Sequence, residues 1–195
     1  MNEGTVGHPE PAANRSRPDA IDYLLEHHAR IRAQLEALQA IEDDLKSRDS
    51  DALLNAARLA EEVIAVFGNE GQVHALDESE TLFPCLRGRL GPGDAELVEA
   101  LDSLEAEHLA PSCNWPSLQR WLWMLTVPDE LIRIRDFQDA RRALEEHFRP
   151  HLEREEALVF PAARRLLDAA TLAQLADEMR LRSEHAPPGG RPLVP

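Results

Sequence analysis

The sequence predicts an all-α fold, an antiparallel up-down four-helix bundle with a short extra helix at the C-terminal end. Three observations carry this. Leu, Ala, Glu and Arg abound while only 5% of residues are aromatic, a bias towards helix formers. Apolar residues recur at three- and four-residue steps in four long stretches. The connections between the stretches are short, which makes consecutive helices antiparallel neighbours.

Residues 1–17 are rich in Gly, Pro, Asn and Ser without apolar periodicity and are expected as a disordered arm; 184–195, with its Pro and Gly pairs, is expected as a disordered tail. The bundle is placed over 18–183. Its first helix carries Ile21, Leu24, His28, Ile31, Leu35 and Leu38 on one stripe, with Pro18 in the first turn, where proline is tolerated. The second runs from about Asp51 to Leu86, with Val63, Phe67, His74, Glu78 and Leu82 on its stripe and Gly68 and Gly71 weakening its middle. Gly88 to Gly93, containing Pro92, is a break. The third helix starts near Asp94 as N-cap and carries Leu97, Leu101, Leu104 and His108 before Pro111 and Pro116 interrupt it. A short helix with Trp121, Trp123 and Met124 ends near Pro128. The fourth runs from about Asp129 to Leu167, with Phe137, Leu144, His151, Glu155 and Val159 on one face and a kink expected at Pro150. A final short helix from Thr171 to about Arg182 caps one end.

One motif occurs twice. His74-x-x-x-Glu78 is followed by Phe83-Pro84, and His151-x-x-x-Glu155 by Phe160-Pro161, in the same register. A further histidine precedes each copy, His28 before the first and His108 before the second. Positions four apart on a helix share a side, so each copy offers an imidazole and a carboxylate to one space. The four histidines and both glutamates lie on the apolar stripe of their own helix. Facing buried carboxylates are costly, and a cation between them resolves the conflict. The six side chains therefore read as one site: His28 and His74 on one metal, His108 and His151 on the other, Glu78 and Glu155 bridging. Nitrogen and oxygen donors suit iron or manganese, and imidazole also accepts zinc or copper. With an oxo or hydroxo bridge, two such metals keep a position for O2, NO, peroxide or water.

The formal charge of −15 over 195 residues argues against nucleic acid or an anionic membrane as partner. No apolar run reaches the length of a membrane span, and no signal-peptide core is read in the first thirty residues, so the cytoplasm is the expected location. Cys85 and Cys113 are too few for a disulfide framework and read as inert thiols. The expected partner is a small diatomic ligand or peroxide; a protein partner or homodimer is left open.

These motifs resemble the hemerythrin-like (HHE cation-binding) domain family over roughly residues 19 to 167. The matching residues are Glu26-His27-His28-Ala29-Arg30-Ile31, His74-x-x-x-Glu78 with Leu82-Phe83-Pro84, Glu107-His108, and His151-x-x-x-Glu155-Glu156 with Phe160-Pro161. The resemblance implies a four-helix bundle with a non-haem di-iron centre that binds, senses or reacts with O2, NO or peroxide. An iron-dependent redox or stress-repair enzyme, and an iron storage or delivery module without turnover, are the alternatives.

The chain also departs from the oxygen carriers of the family. Ser112 stands four residues after His108, where they have a second third-helix histidine, which speaks against simple reversible carriage. His147, one turn before His151, is a candidate for the missing nitrogen, although a place outside the ligand set is favoured for it. Glu155 is favoured over Glu156 because it fits the repeat. His27 is expected to point about 100° away from His28 and not to be a ligand. Tyr23 is read as a core or rim tyrosine, Glu70 as a solvated acid, and Trp115, Trp121 and Trp123 as packing for the short helix.

Overall fold

The computed structural model describes residues 17–47, 49–109, 115–127 and 134–186, and these are helical with no strand among them. Six helices follow in order. They are α1 (Ala20–Ser47), α2 (50–87), α3 (Ala95–Leu109), α4 (Trp115–Leu125), α5 (134–166) and α6 (Ala169–His185). The arm and tail expected at the two ends lie almost wholly outside the described residues, although α6 continues through His185 into the expected tail.

The helix ends follow local chemistry. Asp19 Oδ1 accepts from the backbone N–H of Ile21 and Asp22 (2.9 Å each), so α1 starts at Ala20 and Pro18 lies just before it rather than in its first turn. Asp49 accepts from Asp51 N–H (2.8 Å) and Asp168 from Thr171 N–H (2.7 Å), opening α2 and α6 in the same way. Asp94 does precede α3, yet its side chain turns back to Gly91 N–H (2.9 Å) and to Arg165 (3.1 Å). Pro116 sits in the first turn of α4 rather than ending a helix. α5 passes through Pro150 without ending.

The long helices α2 and α5 are locally widened. α2 contains π turns at Val66–Glu70 and Asp77–Leu82, and α5 contains one at Glu155–Val159. The last two have a visible cause. Proline has no N–H, and its ring clashes with the carbonyl four residues back. For Pro84 and Pro161 those carbonyls belong to Glu80 and Ala157, inside the widened turns. The preceding residues then bond five back: Phe83 N–H donates to Glu78 O, and Phe160 N–H to Glu155 O. The repeated Phe-Pro therefore shapes the turn that carries each glutamate. π turns recur at functional sites.

Packing divides the core in two. One apolar cluster gathers Ile21 and Leu24 of α1, Phe83 and Leu86 of α2, Leu101 of α3 and Phe160 of α5. The other gathers Ile31 and Leu38 of α1, Val63 and Phe67 of α2, Leu122 of α4 and Phe137 of α5. Along α1, α2 and α5 the histidines and glutamates of the repeat fall where one cluster gives way to the other. α6 is longer than the short cap expected. It packs along α1 and the π turn of α2, and adds Leu172, Leu175, Ala176 and Met179 to the first cluster. The tryptophans of α4 pack against the second, as read from sequence.

Candidate metal centre

All six repeat residues converge. His28, His74, Glu78 and Glu155 form one group, and Glu78, His108, His151 and Glu155 a second; within each, one donor atom per residue lies within 4.8 Å of the others. The two carboxylates are common to both groups. Glu78 lies 4.0 Å from His28 Nε2, 3.5 Å from His74 Nε2 and 3.3 Å from His108 Nε2. Glu155 lies 3.2 Å from His28 Nε2, 4.0 Å from His108 Nε2 and 3.0 Å from His151 Nε2. His108 Nε2 and His151 Nε2 face each other at 3.1 Å. Each carboxylate thus lies near histidines of both groups.

The electrostatics point the same way. Glu78 and Glu155 are both 0% exposed. Burial and the neighbouring Glu155 push the Glu78 carboxyl well above the carboxylate range. Burial works in the same direction on Glu155, but the close His151 and His28 imidazoles outweigh it and hold that carboxyl low. Burial keeps His74 well below the ordinary histidine value and lowers His108 to about 4, so both present lone pairs at neutral pH. Among the described residues, neither oxygen of Glu78 or Glu155 has a hydrogen-bond donor with good geometry, and His28 Nε2 and His74 Nε2 are equally unsatisfied. Unsatisfied buried polar atoms are costly. Here they all face one point, and a cation placed there would satisfy them together. The donors are nitrogen and oxygen only, a set that fits iron, manganese, zinc or copper. Cys85 is not part of either group.

Around the six lies a ring of partners that the repeat did not reveal. His28 Nδ1–H donates to Glu156 (2.8 Å), which also accepts from Arg32 (2.7 Å). His151 Nδ1–H donates to Glu107 (2.8 Å), which also accepts from Arg154 (2.6 Å). His108 Nδ1 is bonded to Ser79 Oγ (2.8 Å). Ser79 and Glu156 each directly follow a repeat glutamate, so extending the motif by one residue would have found them. Glu156 thus lies on His28 Nδ1, while Glu155 is the one of the two that joins the converging groups. Hydrogen bonds of this kind fix the tautomer and orientation of a ligating imidazole.

The remaining candidates fall outside the two groups. His147 is half-buried, its ring stacked 5.8 Å from that of His151. Tyr23 is a rim residue, 4.5 Å from the His27 ring and under the Arg180 guanidinium. Glu70 pairs with Arg30 at 3.0 Å near the surface. Ser112 and Cys113 lie outside the described residues. His27 belongs to neither group of donors, yet it is not solvated: it is 3% exposed and its ring stacks on that of His74 at 5.7 Å. Its ring is covered by Tyr23 of its own helix and by His74 of α2.

No match to this chain was found among curated proteins or among solved structures. Residues 19–163 match the family described as the Hemerythrin HHE cation binding domain, and the chain belongs to that family of cation-binding proteins.

Proposed function

We propose that this chain is a non-haem di-iron protein that binds, senses or reacts with O2, NO or peroxide. In this reading His28 and His74 hold one iron, His108 and His151 the other, and Glu78 and Glu155 bridge them. The long helices α1, α2, α3 and α5 are taken as an antiparallel four-helix bundle around the pair. The observation that carries the proposal is the double reach of two fully buried carboxylates, each near histidines of both groups. When bound, the two irons would supply open coordination positions and one-electron redox chemistry. The chain's own residues do the rest. Glu156, Glu107 and Ser79 orient three of the imidazoles. Phe83 and Phe160 close one side of the site with apolar surface. Both keep bulk water away and strengthen the electrostatics inside.

Each position receives two imidazoles and shares the same two carboxylates, with His147 outside the set. Both irons then keep room for a small molecule. That favours reaction with O2 or peroxide over reversible carriage, in which one iron would be saturated. The cytoplasm remains the proposed location. Among the described residues no helix is long and apolar enough to cross a membrane.

The test is elemental analysis of protein made in iron-replete cells, followed by anaerobic reduction and rapid mixing with O2, NO and hydrogen peroxide. Two irons per chain and a fast optical change with at least one of the three are expected. Protein that binds no metal of any kind, or a reduced di-iron form inert to all three, would overturn the proposal.

A further inference from the structure

The internal repeat relates the two halves of the centre residue by residue. Glu155 and Glu156 of the second copy correspond to Glu78 and Ser79 of the first. Glu107-His108 corresponds to His27-His28. The partners follow this correspondence. The residue after each glutamate holds the histidine of the opposite half, Glu156 on His28 and Ser79 on His108. The residue before the third-helix histidine, Glu107, holds His151. By the same rule residue 27 should hold His74. It is a histidine, and its ring lies against the His74 ring at 5.7 Å with an interplanar angle of 26°. His74 is 4% exposed, and its Nδ1 has no hydrogen-bond partner among the described residues.

We infer that His27 makes the two metal positions unequal, leaving His74 as the one of the four converging imidazoles without an orienting partner among the described residues and the His28/His74 position as the weaker. The inference rests on the two-metal reading above. His27 is here a positioning residue. It confines the His74 ring by contact with its face but does not fix its tautomer or raise its basicity, as Glu107 does for His151. Loss of such an acceptor typically weakens metal binding roughly 10- to 100-fold. The chain should therefore fill stepwise, the His108/His151 position first and the His28/His74 position second. Under iron limitation it would hold a single ion, and the second ion alone would respond to metal supply.

The experiment is an anaerobic titration of the metal-free full-length chain with ferrous ion against a competing chelator, with bound ions counted per chain. Two steps about tenfold or more apart are expected. His74→Ala should remove only the weaker step and His151→Ala the tighter one. His27→Glu supplies the missing acceptor and should tighten the weaker step about tenfold, with His27→Gln giving a smaller gain. Glu107→Ala, at a half-buried position, should instead weaken the tighter step by a similar factor. Two ions bound with equal affinity in the unmodified chain, or an unchanged gap in both His27→Glu and Glu107→Ala, overturns this inference and leaves the two-metal reading standing. Absence of any binding overturns the two-metal reading itself.

Discussion

Two regions of the molecule bury carboxylates, and they do so in opposite ways. On α1, Glu42 is 4% exposed and accepts hydrogen bonds from Lys46 (2.6 Å), Gln138 (2.8 Å) and Arg141 (2.8 Å). Burial alone would raise its pKa, but these donors bring it down to about 2. Its charge is neutralised within the chain. At the centre, Glu78 and Glu155 meet no Lys or Arg among the described residues, only histidines and each other. A buried acid surrounded by cationic side chains is part of the scaffold. A buried acid facing imidazoles and another acid, with no lysine or arginine beside it, asks for a cation from outside.

The largest effect expected from this difference is on metal content. Glu78→Ala or Glu155→Ala removes a ligand from both positions at once, so bound metal should fall from two ions per chain to nearly none. Glu42→Ala should leave metal content unchanged and cost stability instead, about 3 kcal/mol for breaking a buried pair. For a chain of this size that is roughly 6–12 °C in Tm. Elemental analysis and thermal melts on the same samples separate the two outcomes. Equal metal loss in all three variants would erase the distinction.

Metal removal comes next. Each ion that binds only the folded chain stabilises it by about 2.7 kcal/mol at a free concentration one hundred times its Kd. Chelation should therefore lower Tm by roughly 5–10 °C for each ion lost in the unmodified chain and not at all in Glu78→Ala. An unmodified chain that melts at the same temperature with and without chelator would show that the six residues do not share a site coupled to folding.

Acid sharpens the comparison further when applied to metal-free protein. The Glu42 carboxyl sits at about 2 in the folded chain, against an ordinary value of 4.5. Between those values the unfolded chain binds the extra proton and the folded one does not. The stability Glu42 provides is thus fully present above the ordinary range and lost as pH falls through this window. Urea unfolding at a series of pH values should show a steeper acid loss in the unmodified chain than in Glu42→Gln. Parallel curves would mean that Glu42 is not held ionised by its partners.

How much of this was legible in the sequence depends on what each feature needs. The six central residues could be read because spacing on a helix fixes which side chains share a face, and the repeat supplied the register twice. The Phe-Pro pairs were visible too. Their effect was not, because a π turn follows from a missing N–H and a ring clash, which hydrophobic periodicity does not encode. The burial of His27 was not legible because it comes from the rings of Tyr23 and His74, and a single apolar stripe does not encode contacts beside it. Glu42 and Arg141 were not singled out at all. Charged residues at those positions look like a solvated helix face until tertiary packing brings Gln138 and Arg141 onto Glu42.

The smallest expected effect is the most discriminating. His147 lies one turn before His151 on α5, its ring stacked 5.8 Å away and set edge-on to Phe148 at 5.4 Å. It belongs to neither group of converging donors. Burial lowers its pKa, so it is a neutral, half-buried ring beside the site. His147→Ala should therefore keep both ions, leave the two binding steps where they were, and change stability by no more than about 1 kcal/mol. The measurement is the same ferrous titration, run beside His151→Ala, which should lose one step. If His147→Ala loses a step as readily as His151→Ala, one position has three imidazoles and the other two. The equality of donor number between the two positions would then be gone. The position bearing His147 would be close to saturation, and small molecules would be confined to the side of His28 and His74.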